Sequence, residues 1–277
     1  MKFTKMHGCG NDYVYVNCFE ETVDNPSEVA KIVSDRHFGI GSDGLILICP
    51  SEKADFRMAM YNLDGSEGKM CGNGVRCIAK YVYDHHLTDK TRISLETLAG
   101  IKYLDLQVEN GKVATVTVDM GEPILEAAKI PVTIPKDRII DEPVDIDGKT
   151  WNMTCVSMGN PHAIVFVDDT QSLDLEKIGP AFEKHPMFPE QVNTEFLQVL
   201  DRHTVNMRVW ERGSGETLAC GTGACAAVVA AVANGLCEKG RDITVRVQGG
   251  DLVVHYTDEA VTLTGDAKLV YTGVVEY

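Results

Sequence analysis

Positive charge is scarce in this chain. Lysine and arginine total 26 against 41 aspartates and glutamates, a formal net charge of −15. An acidic surface of that size repels nucleic acid and anionic membranes, so neither is expected as a partner. Long apolar runs are missing too: the longest, Ala224 to Ala233, falls far short of the ~20 residues of a membrane helix. The opening Met-Lys-Phe-Thr-Lys-Met-His-Gly has no continuous apolar stretch, so no secretory signal and a cytoplasmic protein are expected. Nine cysteines in 277 residues are too few for a disulfide scaffold, and an odd number leaves one unpaired. Reduced thiols are the expectation, most of them buried as small apolar side chains.

Metal-binding signals are lacking as well. The Cys71/Cys77 and Cys220/Cys225 pairs have no short Cys-x-x-Cys knuckle and no ordered histidine set, which excludes a zinc site by spacing. Gly39-Ile-Gly-Ser-Asp-Gly44 has dinucleotide-loop spacing but precedes the strand-like Leu45-Ile-Leu-Ile. The glycine pattern needs a strand before it and a helix after it, so a tight turn is the reading.

What the chain does have is a repeat. Met-Cys-Gly-Asn-Gly at 70–74 returns as Ala-Cys-Gly-Thr-Gly at 219–223, an offset of 220 − 71 = 149 residues. The same offset pairs Met58 with Met207, Tyr61 with Trp210, Asn62 with Glu211, Glu67 with Glu216, Gly10-Asn11 with Gly159-Asn160, Gly44 with Asn193 and Gly100 with Gly249. Four separate stretches in register indicate a duplication.

The expected fold is α+β: two similar mixed α/β domains, each a β-sheet or barrel wrapped around a central helix, with an active-site cleft between them. Helices are expected over Pro26–Asp35, Leu173–Lys184, Val75–His86 and Ala224–Ala233. Strands are expected over Leu45–Cys49, Phe56–Tyr61, Thr194–Leu200 and Val205–Trp210, and β-rich segments over 92–118 and 242–263. The first domain is expected to comprise 1–118 plus 266–277, with the tail strand returning to it, and the second 119–265. Residues 119–149, with Pro123, Pro131, Pro135 and Pro143, read as a bridge.

Each repeated cysteine precedes a helix and is followed by small residues. A helix start offers unpaired N–H groups and the positive end of a dipole. A thiol there is expected to have a lowered pKa. The N–H groups of residues 72–74 and 221–223 can cradle a carboxylate. A carboxylate held by both helices would place its α-carbon between Cys71 and Cys220. One thiolate could then remove a proton from one face while the other thiol supplies one to the opposite face, a two-base 1,1-proton transfer. His162 and Glu211 are candidates for tuning the thiols. Cys9, Cys18, Cys49, Cys77, Cys155, Cys225 and Cys237 read as packing residues.

Gly8-x-Gly10-Asn11-Asp12, Asn62-x-Asp64-Gly65-Ser66, Cys71-Gly72-Asn73-Gly74-x-Arg76-Cys77, Gly159-Asn160-Pro161-His162, Asn193-Thr194-Glu195, Glu211-Arg212-Gly213 and Cys220-Gly221-Thr222-Gly223 together resemble the diaminopimelate epimerases over the whole chain. That resemblance implies cofactor-independent conversion of LL-2,6-diaminopimelate to the meso form, in lysine and peptidoglycan precursor synthesis, by a cytoplasmic homodimer. It implies catalytic bases at Cys71 and Cys220 and substrate contacts from Asn11, Asn62, Asn160, Asn193, Glu211 and Arg212. The N–H groups of Gly72, Asn73, Gly221 and Thr222 would hold the reacting carboxylate. Many members carry glutamine where this chain has Gly44.

Three other readings compete. A proline or hydroxyproline racemase of the same architecture shares the two cysteines, but its cyclic substrate has no distal charged arm for Arg212 and Glu211 to meet. A thiol hydrolase built on one cysteine and His162 leaves the second cysteine without purpose. A non-catalytic amino-acid-binding protein demands neither thiol.

Overall fold

The computed structural model describes residues 1–277 and divides into two compact units, Met1–Asp119 with Thr264–Tyr277, and Met120–Leu263. The first begins with β1 (Lys2–Gly8), β2 (Asn11–Asn17), α1 (Pro26–Ser34), β3 (Gly44–Cys49), β4 (Phe56–Asn62) and the short β5 (Glu67–Gly68). It continues through α2 (Gly72–Asp84), β6 (Arg92–Thr97), β7 (Gly100–Glu109) and β8 (Lys112–Gly121). The second unit holds β9 (Glu142–Ile146), β10 (Lys149–Ser157), β11 (Pro161–Phe166), α3 (Leu175–Glu183), β12 (Asn193–Asp201), β13 (Thr204–Glu211) and β14 (Gly215–Thr217). Then come α4 (Gly221–Ala233), β15 (Asp242–Val247), β16 (Gly250–Tyr256) and β17 (Val261–Asp266); β18 (Lys268–Val274) ends the chain. No helix is long and apolar enough to cross a membrane.

The units repeat each other strand for strand. In the first, β1 pairs antiparallel with β2, β2 parallel with β3, β3 antiparallel with β4, and β4 with β5 and, in parallel, β6. In the second, β10, β11, β12, β13, β14 and β15 pair in that same order and sense. Each parallel step needs a crossover, and α1 and α3 supply the first of these in their units. An outer strand flanks each set: β18 pairs with β1, and β9 with β10.

Helices α2 and α4 both start immediately after the repeated cysteine, at Gly72 and Gly221, three residues ahead of the expected Val75 and Ala224. Glycine is a poor helix former, but the cysteine caps the turn. Helix α4 is apolar on nearly every side and buried from Gly223 to Ala231, as a central helix should be. It packs against β10, β11, β12, β15 and β16. Helix α2 buries Val75, Cys77, Ile78, Ala79 and Val82 and packs against β1 and β7.

Three expectations need correction. Residues 119–149 are no bridge: Ala127, Ile130, Val132, Ile139, Val144 and Ile146 are buried in the second unit's core with Phe182, Phe196 and Trp210. The counterpart of Gly100 is Gly250, not Gly249, since both open the second strand of a hairpin, opposite Thr97 and Val247 respectively. One extra residue separates α4 from β15 (234–241) relative to the stretch between α2 and β6 (85–91), and it shifts the offset by one. Helix α3 starts at Leu175, not Leu173, because Thr170–Ser172 forms a separate 3-10 turn.

Candidate active site

Cys71 and Cys220 occupy the same structural position. Each is the N-cap of its helix in extended conformation (φ −132°, ψ 120° and φ −122°, ψ 114°). Each sulfur accepts the N–H of the third helical residue, Gly74 at 3.4 Å and Gly223 at 3.3 Å. The first bonds of the helix backbone run from Val75 N–H to Cys71 O and from Ala224 N–H to Cys220 O. The N–H groups of Gly72 and Asn73, and of Gly221 and Thr222, therefore precede the helical ladder and remain as donors at the two helix starts.

In the first unit the Cys71 S–H donates to Asn11 Oδ1 at 3.2 Å, and Asn73 Nδ2 donates to the same oxygen at 3.2 Å. Asn11 opens β2, and its Nδ2 donates to Asp43 Oδ2 at 2.7 Å. Behind Asn73 lies Arg76, fully buried, whose Nη2 donates to Asn73 Oδ1 at 2.8 Å. The rest of that guanidinium is spent on Gly72 O, Asp266 O and the Cys9 sulfur. Tyr13 adds its hydroxyl within hydrogen-bond reach of Cys71 and Asn11. Burial first, then the Cys71 and Asp43 charges, push the Tyr13 pKa well above its ordinary value, so it stays protonated and serves as a donor.

Asn62 ends β4, but its Nδ2 donates to Ser66 Oγ at 3.0 Å, within the 62–66 turn and apart from the Cys71–Asn11 chain. A Cβ on Gly44 would lie 2.2 Å from Tyr61 O and 2.9 Å from Tyr13 Cε1. No side chain fits there on this backbone, which accounts for the missing glutamine.

In the second unit Cys220 Sγ meets Thr222 Oγ1 at 3.4 Å, and Asn160 Nδ2 donates to that hydroxyl at 3.3 Å. Asn160 Oδ1 faces His162 Nε2 at 3.1 Å, while His162 Nδ1 lies 2.7 Å from Glu195 Oε1. Both His162 and Glu195 are wholly buried, and Glu195 Oε2 has no hydrogen-bond partner. Gly223 makes room for this carboxylate, since a Cβ there would lie 2.4 Å from Glu195 Oε1. Thus the hydrogen-bond path from His162 to Cys220 runs through Asn160 and Thr222. Glu211, ending β13, accepts from the Thr217 hydroxyl and is hydrogen-bonded to Cys220. Asn193 is buried between Pro161 O and the Arg212 N–H, and Arg212 Nη1 donates to Glu190 O at 2.9 Å.

A helix start by itself would lower the Cys220 thiol pKa, and its surroundings reverse that. Burial, then the Glu211 and Glu195 carboxylates, push the Cys220 thiol well above its ordinary value, outweighing the Thr222 and Gly223 donors that pull it down. Glu211 is itself raised, by burial and then by Glu195. Sequence reasoning gave no role to Glu195, Asp43, Arg76 or Tyr13. For Glu195 a signal existed: a carboxylate at the second position of the expected strand Thr194–Leu200 calls for a buried partner.

The duplicated α/β architecture has counterparts among solved structures. The fold matches a hydroxyproline epimerase from Agrobacterium vitis with bound trans-4-hydroxy-L-proline (TM-score 0.69, 16% identity, 99% of this chain and 90% of that one). It equally matches a Bacillus anthracis phenazine biosynthesis protein of the PhzF family (TM-score 0.72, 17% identity, 99% of both chains). The family model for diaminopimelate epimerase matches residues 3–126 and 154–270. Diaminopimelate epimerases of Acetivibrio thermocellus and Methanococcus maripaludis strain C5 are 60% and 56% identical to it, over all of this chain and 99% and 100% of theirs. The chain belongs to the diaminopimelate epimerase family.

Proposed function

We infer that this chain is an isomerase that epimerises LL-2,6-diaminopimelate to meso-diaminopimelate, serving lysine and peptidoglycan precursor synthesis. The observation that carries the mechanism is the pair of cysteines at equivalent helix starts, each capping its helix through the third N–H. Cys71 and Cys220 act on opposite faces of the α-carbon, one taking a proton and the other giving one. Negative charge grows on the reacting carboxylate as the α-proton leaves. The N–H groups of Gly72, Asn73, Gly221 and Thr222, with the two helix dipoles behind them, stabilise it.

Burial and two carboxylates keep Cys220 protonated in the ligand-free state, so Cys220 enters as the acid. Abstraction then falls to Cys71, whose sulfur has the Tyr13 hydroxyl as donor. Glu211 accepts from the substrate ammonium and tunes Cys220 directly; His162 tunes it through Asn160 and Thr222. Arg212 forks onto the distal carboxylate, exchanging its contact with Glu190 O for the ligand. Asn11, Asn62, Asn160 and Asn193 complete the polar lining. The protein works in the cytoplasm as a homodimer whose first domain is 1–118 with 266–277 and whose second is 119–265.

The test is proton NMR of LL-diaminopimelate with the purified protein in D2O, with no cofactor or metal added. Loss of the α-proton signal together with appearance of the meso isomer supports the reading. Exchange with proline in its place would move the chain to the racemase reading, which the hydroxyproline epimerase neighbour keeps in view. Inertness toward both would overturn cysteine-based epimerisation.

A further inference from the structure

Two cysteines outside this mechanism stand side by side at the other end of β2 and β3. The strands run parallel with Asn17 opposite Ile48, and the ladder continues a step further, since Cys18 N–H donates to Ile48 O at 2.9 Å. In a parallel ladder that bond places Cys18 opposite Cys49. Neighbouring strands lie about 4.8 Å apart, within the Cα separation of roughly 4.4–6.8 Å that a disulfide bridges. The two thiols lie close enough for each to act on the other's proton. On its other side Cys49 is the register partner of Arg57 in β4. Cys18 is half-buried and open to reagents, while Cys49 is buried. Asn11 opens the seven-residue β2 and Cys18 follows its end, so about 20 Å separates this pair from the contacts of Cys71.

The electrostatics agree with the geometry. The Cys18 thiol, and then the Arg57 charge, draw the Cys49 thiol down to about 7 against its burial. The same contact holds the Cys18 proton in place, so the pair carries one proton readily lost and one firmly kept. The packing cysteines behave oppositely: burial pushes Cys77 and Cys155 up to about 12, and Cys237 to about 11. No group of three or more metal-ligating side chains exists, and a guanidinium beside Cys49 disfavours a bound cation.

We propose that Cys18 and Cys49 form a redox-active dithiol, a modification site separate from Cys71 and Cys220, whose oxidant is a small disulfide of the glutathione type. Once the pair has lost its labile proton, the sulfur of the half-buried Cys18 attacks one sulfur of the disulfide as its own proton passes to Cys49, forming a mixed disulfide and expelling one thiolate. Cys49 then gives up its proton and attacks Cys18 Sγ, which breaks the mixed disulfide and expels the second thiolate. The protein loses two electrons and two protons, and the oxidant is reduced to two thiols.

The test exposes the full-length protein to glutathione disulfide near pH 7.5, quenches with acid, alkylates, digests without reductant and maps the peptides by mass spectrometry. The expected product is the Cys18 peptide joined to the Cys49 peptide, lighter than their sum by two hydrogens. It should form at least ~10-fold faster than any adduct of Cys77, Cys155 or Cys237, as their retained protons require. Cys18→Ser should abolish the cross-link and keep basal activity. Cys49→Ser should stop at a glutathione adduct on Cys18. Recovery of both cysteines alkylated in the wild type, or of a stable Cys18 adduct without the cross-link, would overturn the proposal. Neither result depends on the epimerase reading, which the D2O exchange tests separately.

Discussion

His162 Nδ1 and Glu195 Oε1 lie 2.7 Å apart with both side chains wholly excluded from solvent. Asn160 Nδ2 is committed to Thr222, so its Oδ1 accepts from His162 Nε2. Both imidazole nitrogens then carry contacts that need a proton, and the one on the Nδ1 side is shared with Glu195. Breaking such a pair leaves a buried polar group without its partner. His162→Ala should therefore cost about 3–5 kcal/mol of stability, read from urea unfolding midpoints. Glu195→Gln keeps the volume and an acceptor oxygen and should cost less. Because the residues act together, the double variant should lose less than the two single losses added; strict additivity would show that the contact carries no coupling.

Replacing either capping sulfur tests the division of labour. Cys71→Ser and Cys220→Ser should each lower kcat by about 10²–10⁴-fold, the usual share of a positioned acid or base. Substrate affinity, measured by calorimetry, should change far less, because the carboxylate donors at the helix starts are backbone N–H groups. If either variant turned over at the wild-type rate, that cysteine would have no part in proton transfer.

Much of this site could be read from the chain because it is built on the repeat. A cysteine followed by small residues at a 149-residue spacing (221 − 72 = 149) marks both helix starts, and the helices obey that spacing at both ends. Polar residues that sit once, in one unit, are different. Arg76 meets Asn73 within its own helix, but Arg76 and Glu195 act only because another strand or helix brings Asp266, His162 and Gly223 against them. No local pattern encodes those meetings. The segment 119–149 misled for a related reason: its prolines suggest a linker, whereas Val144 and Ile146 alternate inward on β9 beside β10. The sign of the Cys220 shift was also beyond the sequence, because burial and neighbouring carboxylates are tertiary facts.

Arg76 supplies a prediction at a distance from the reacting atoms. Its guanidinium holds the Asn73 amide, which shares Asn11 Oδ1 with the Cys71 thiol. Lysine keeps the charge but loses the planar fork. Arg76→Lys should lower kcat by about 10²-fold through misplacement of Asn11 and Asn73 and leave KM within a few-fold. Its unfolding midpoint should fall by the equivalent of about 1–3 kcal/mol for the carbonyls left unpaired. A variant that lost stability but kept wild-type kcat would show Arg76 to be purely structural.

Glu211 gives the pH test. Its carboxylate stands against the Cys220 thiol and raises it, second only to burial. Glu211→Gln should therefore shift the pH profile of Cys220 alkylation to lower pH, measured peptide by peptide with iodoacetamide. The variant should also change how stability depends on pH. Burial raises the Glu211 pKa in the folded state, so the folded chain holds that proton more tightly than the unfolded one. The stability contributed by neutral Glu211 is full below the ordinary glutamate range, and it is lost as pH rises through the raised folded value. Glutamine does not titrate and is free of that decline. Unfolding midpoints taken at steps between about pH 4 and 8 should show the wild type losing ground to Glu211→Gln as pH rises. Parallel curves, or a wild-type advantage that grows with pH, would mean that Glu211 is not held above its ordinary pKa in the folded protein.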